Sequence, residues 1–77
     1  MELNVYGFRA KIVISGGTYS GEVDELHVVT QARTLHQLMN RLEEAVELTI
    51  DGLVKNPKEA KMYPSSVSKK LGLKIYA

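Results

Sequence analysis

At 77 residues the chain is long enough for one domain and too short for two, and a domain of this size buries only about two-thirds of the surface its unfolded form exposes. A formal charge of +1 and 44% hydrophobic residues carry no strong acidic or basic bias, while the absence of cysteine excludes a disulfide framework and a thiolate metal site. No apolar run approaches the roughly 18 residues that span a membrane, and Met1-Glu2-Leu3-Asn4 lacks the positive region of a secretory signal, so the expectation is one cytoplasmic domain over residues 1–77.

The first segment, Leu3 to Ile14, alternates. Tyr6, Phe8, Ala10, Ile12 and Ile14 share one parity, with Gly7, Arg9 and Lys11 on the other, which predicts a single strand with one buried face. Ser15-Gly16-Gly17-Thr18 interrupts it and predicts a hairpin turn, because two glycines supply the positive φ angles that turn needs. The return strand runs from Thr18 to Val23, with Tyr19, Gly21 and Val23 toward the core. After the acidic turn Asp24-Glu25, a third strand is expected over Leu26 to Ala32. Leu26 and Val28 lie on one side of it and Val29 on the other. Val29 therefore points either to a second face covered by a partner chain or to a mildly apolar surface.

Thr34 opens a helix, with Gln37 placed to complete a capping box. Leu35, Leu38, Met39, Leu42, Ala45, Val46, Thr49, Ile50 and Leu53 follow one helical face, and Asn56-Pro57 ends it. Glu43, Glu47 and Asp51 line the solvent side. Leu48 sits off the apolar face near Arg41 and Lys55, as a partner anchor or as an ordinary exposed leucine. Lys58 to Ser66 reads as a polar connector containing Pro64, and Leu71 to Ala77 alternates again as a final strand. The fold class is therefore α+β, in the order β-β-β-α-β. A four-stranded mixed sheet of order 3-2-1-4 follows from the right-handed crossover rule, with one long helix packed on one face. Its bare face and open edges favour self-association, to a dimer or tetramer.

Charge is unevenly placed. Glu22, Asp24, Glu25, Glu43, Glu44, Glu47 and Asp51 dominate before Lys55; from there Lys55, Lys58, Lys61, Lys69, Lys70 and Lys74 face Glu59 alone. Such asymmetry can mark an interaction tail, or it can let the basic tail of one chain settle on the acidic helix of another, which is the favoured expectation. His27 and His36 lack a second ligand at a zinc-binding spacing, and the Glu43, Glu47, Asp51 stripe reads as a solvated helix face as readily as a cation site. The glycine turn precedes no helix and so is no phosphate cradle. With neither a cysteine nor a serine in a nucleophile-elbow pattern, no enzyme is expected, nor any cofactor or metal. Nucleic-acid binding through Lys58, Lys61, Tyr63, Lys69 and Lys70 competes more seriously, although the acidic helix opposes it.

Three stretches then carry a family resemblance. Ser15-Gly16-Gly17-Thr18-Tyr19 through Val23-Asp24-Glu25-Leu26 comes first, followed by Val29-Thr30-Gln31-Ala32-Arg33-Thr34-Leu35 and by Leu42 through Leu53 with its Glu-Ala run. Together they resemble the HicB-like antitoxin domain, over roughly half the chain. The family's acidic Pro-Asp-Leu-Pro-Gly segment keeps only its aspartate in Val23-Asp24-Glu25-Leu26-His27, and its Gly-Asp before the capping threonine is Ala32-Arg33 here. The resemblance implies a partial ribonuclease H-like fold, self-association, and neutralisation of a small mRNA-cleaving HicA-type toxin. It does not bring the DNA-binding extension of longer members, for which this chain leaves no room. The expected partner-binding residues are the acids Glu22, Asp24, Glu25, Glu43, Glu44 and Glu47, with Val29 and Leu48 as apolar anchors. The alternative is a small RNA-binding protein using the C-terminal lysines.

Overall fold

The computed structural model of the chain describes residues 1–73. Four strands precede one long helix: β1 (Glu2–Val5), β2 (Phe8–Ser15), β3 (Thr18–Val23), β4 (Val28–Ala32) and α1 (Leu35–Lys55). A 3-10 turn at Asp24–Leu26 links β3 to β4. Another, Pro57–Met62, leads from α1 to a short helix, α2 (Ser65–Leu71). The class is α+β, as expected, but the sheet is antiparallel throughout and its order is β1-β2-β3-β4.

The mixed 3-2-1-4 order is thus corrected, and the cause lies at Tyr6-Gly7. Both residues take left-handed backbone, at φ 51° and 86°, and Val5 pairs with Phe8 across them. Two successive positive φ angles make the primed turn whose twist suits a tight hairpin. Asn4 Oδ1 accepts from the Gly7 N–H at 2.9 Å and holds the turn. What reads as one strand is therefore a hairpin, and β1 takes the place beside β2 expected for a C-terminal strand. The second hairpin forms as predicted, with Gly16 and Gly17 at φ 56° and 77°. Of the expected final strand, Leu71 ends α2 and Gly72 caps it. Lys74 to Ala77 lie outside the described residues.

Phe8, Ala10, Ile12, Val23, Val28 and Ala32 are buried on one sheet face, and the core holds no polar or charged side chain among the described residues. Two residues expected there are exposed: Tyr6, in its turn, and Ile14, at the β2–β3 tip where the helix cover begins. The third strand starts late, because Leu26 closes a 3-10 turn and His27 adopts φ 55°. Val29 is 71% exposed. The helix follows its pattern more closely. The Gln37 N–H donates to Thr34 Oγ1 at 3.1 Å, and Leu38, Leu42, Val46 and Leu53 are buried. No helix of the described residues is long and apolar enough to cross a membrane.

The helix sits where Gly21 lets it. A Cβ on Gly21 would lie 2.8 Å from Leu42 Cδ1, closer than van der Waals contact allows, so α1, which packs over both β3 and β4, comes down close on the sheet at this point. Adding a side chain there overpacks the core. Gly21→Val should lower folding stability by about 1–3 kcal/mol, read from urea unfolding midpoints at unchanged m-value. An unaltered midpoint would mean that the approach of Leu42 to β3 is not tight.

Candidate functional site

The expected partner-binding residues fall on three separate regions. Glu44, Glu47 and Leu48 lie together on the outer side of α1, where with Ile50, Asp51 and Val54 they line a shallow depression. Helical geometry puts them there, since residues three and four apart share a face and this face points away from the sheet. Leu48 is 65% exposed and Val54 57%, while Ile50 is half-buried and packs against the core. Glu43 is exposed one turn before Glu47. Asp51 is held at 3.0 Å by Lys55. Among the described residues no three His, Asp or Glu side chains converge as metal ligands.

Glu22 and Val29 lie on the opposite side of the molecule. They are cross-strand partners on the sheet face that α1 leaves open. Lys11 sits between Glu2 and Glu22 in the same cross-strand row. Ion pairs join Arg9 to Glu2 at 3.6 Å and Lys11 to Asp24 at 3.4 Å. The next row is Val13, Ser20 and Gln31. Val13 and Val29 are thus isolated apolar spots on a polar, charge-compensated face, the pattern of a solvated sheet surface.

Glu25 belongs to neither face. Its carboxylate accepts from Lys70 Nζ at 2.7 Å on one oxygen and from Ser66 Oγ at 2.6 Å on the other, so that it latches α2 to the 3-10 turn after β3. Lys70 Nζ also lies 4.8 Å from the centre of the Phe8 ring, within cation–π range. One turn away, His27 stacks on Tyr63 with ring centres 5.1 Å apart, and its Nε2 donates to the Met62 carbonyl at 3.3 Å. The basic tail therefore settles on the acidic turn of its own chain. Glu25 and Lys70, expected in opposed sites, hold each other, and Tyr63 is half-buried against His27. Lys58, Lys61 and Lys69 remain exposed. The residues missed at the helix depression, Ile50, Asp51 and Val54, continue the three-and-four spacing from Glu44, Glu47 and Leu48. That spacing was the signal that could have found them. For the His27–Tyr63 stack the sequence offers none.

Lys70 and then Ser66, both donating to it, hold the Glu25 carboxyl below its ordinary 4.5. A depressed folded-state value means that the latch stabilises the fold above the unfolded value and that this stabilisation is lost as pH falls through the folded one. Glu25→Gln should therefore melt below the wild type at neutral pH, and the two melting temperatures should converge as pH drops through the carboxylate range. A gap that stays constant down to low pH would show that the charge of Glu25 contributes nothing to the latch.

In comparison with known proteins, no family model, curated protein or solved structure matches this chain, so a functional reading rests on these surfaces.

Proposed function

We propose that the chain is a non-catalytic protein-binding module of the HicB-like antitoxin kind, which holds a small basic, mRNA-cleaving partner of the HicA type on the outer face of α1. The observation that carries this reading is the helix depression, where two well-exposed apolar side chains, Leu48 and Val54, lie within a rim of Glu44, Glu47 and Asp51. A binding patch commonly has this form, with apolar anchors at its centre and charges around them. The anchors supply affinity by leaving water. The carboxylates steer a cationic partner in and exclude acidic ones.

Masking follows from the same chemistry. A protein that cleaves RNA approaches phosphates through lysines and arginines, and carboxylates spaced along a rigid helix can occupy those cations in place of phosphate. Neutralisation then needs no catalytic group on this chain, only a surface that competes with RNA for the same cations. Glu43 extends the acidic rim on its flank. The RNA-binding alternative draws less support, since Lys70 is taken up by Glu25 and Tyr63 by His27.

The tagged protein, drawn from its native cytosol at moderate salt with and without nuclease, tests the reading. A small basic protein should remain bound after nuclease treatment, cleave RNA when purified alone, and be inhibited by added chain. Leu48→Asp should weaken that complex by about tenfold or more, the loss expected of a central anchor. Recovery of RNA alone, lost on nuclease or added salt, would overturn the proposal and turn attention to Lys58, Lys61 and Lys69.

A further inference from the structure

Where β4 gives way to α1 the surface changes sign. Thr18, Gln31, Ala32, Arg33, Gln37 and Arg41 line a depression of about 440 Å³ there. Only Arg33 and Thr34 separate the end of β4 from the first residue of α1, so Arg33 is held at the strand end. Gln37 and Arg41 stand one turn apart on α1, on the flank that reaches β4, since the Arg41 guanidinium donates to the Gln31 carbonyl. Thr18 opens β3 beside the same strand end, where Tyr19 pairs with Ala32.

The chemistry of this lining is one-sided. It holds two guanidiniums, two carboxamides and a hydroxyl, and no carboxylate. Of the three arginines in the chain, Arg9 pairs with Glu2. Among the described residues neither Arg33 nor Arg41 lies within ion-pair range of a carboxylate. Glu44 stands one turn beyond Arg41 and does not pair with it. Glu22 is the only acid of β3, and it lies four residues from Thr18, about 13 Å along the strand. The first turn of α1 carries no acid. The bond from Arg41 to Gln31 uses one donor of the guanidinium; it fixes the group over the strand end and leaves the others for a ligand.

We infer that this depression binds a phosphate monoester. Charge selects the ligand, because a monoester carries about −1.5 to −2 at neutral pH and so matches two guanidiniums, whereas a phosphodiester or a carboxylate carries a single charge. Each guanidinium presents paired N–H donors that fit phosphate oxygens as a fork. The Thr18 hydroxyl and the glutamine carboxamides add donors around them. The positive end of the α1 dipole strengthens the field, but selection comes from the arginine pair. A volume of about 440 Å³ falls within the roughly 300–1,000 Å³ of small-molecule sites, so the phosphate can bring a nucleotide-sized group with it. The site is separate from the acid-rimmed face of α1 and does not depend on the function proposed for that face.

Nuclear magnetic resonance on the full chain in phosphate-free buffer tests the inference, with uridine 5′-monophosphate and uridine as probes. The monophosphate should shift the amides from Gln31 to Gln37 and the side-chain N–H signals of Arg33 and Arg41, with a Kd of about 1 mM. Uridine, which lacks the phosphate, should shift none of them. Arg33→Gln alters an exposed side chain that makes no bond within the fold, and should raise the Kd by about tenfold. Lys61→Gln, the same change of charge at an exposed residue outside the depression, should leave it unchanged. An oligouridine bearing a 5′-phosphate then distinguishes the two sources of a monoester. Binding tighter than the mononucleotide assigns the site to an RNA end, and equal or weaker binding assigns it to a free nucleotide. The same strand with a 5′-hydroxyl, bound as tightly as the phosphorylated one, would overturn the inference. So would a monophosphate that shifts nothing at about 10 mM, ten times the expected Kd, or a Lys61→Gln loss as large as that of Arg33→Gln.

Discussion

The seat of Leu42 on Gly21 is the contact on which the rest of the arrangement depends. A side chain at position 21 would hold the helix off the sheet; its absence lets α1 settle over β3 and β4 and bury Leu38, Leu42 and Val46 in one closely packed row. From that seat follow the three surfaces of the molecule. The helix side of the sheet becomes core, the far side stays wet, and the β4 edge runs beside the helix, within reach of Arg41. The outer half of α1, turned away from the core by the same contact, is free to carry Leu48 and Val54.

Length adds a second constraint. A helix of 21 residues spans about 31 Å, whereas the five residues of β4 span about 17 Å. The last turns of α1 therefore run past the sheet, and Leu53 would face water there. Ala60 and Val67 close that end of the core, joined by the half-buried Tyr63, Leu71 and Leu73. The Glu25 latch and the His27 stack hold the segment in place. This explains why part of the charge asymmetry in the sequence is internal rather than directed at a partner: Lys70 and Glu25 satisfy each other across 45 positions.

What could be read from the sequence was what depends on local periodicity. The Thr34 cap, the buried stripe of α1 and the Gly16-Gly17 hairpin all report interactions between near neighbours. The Tyr6-Gly7 turn escaped because a tyrosine in left-handed backbone is rare, while period-two alternation continued unbroken across it. The helix α2 did leave a signature: Val67 and Leu71 are one turn apart, Lys69 and Lys70 stand in the last turn, and Gly72 follows. In seven residues that signature was outweighed by the alternation of Leu71, Leu73 and Ile75. The division of the site residues among separate regions was beyond the sequence altogether. Glu25 and Glu22 are three positions apart, yet one faces α2 and the other the open sheet, because a 3-10 turn lies between strand and strand.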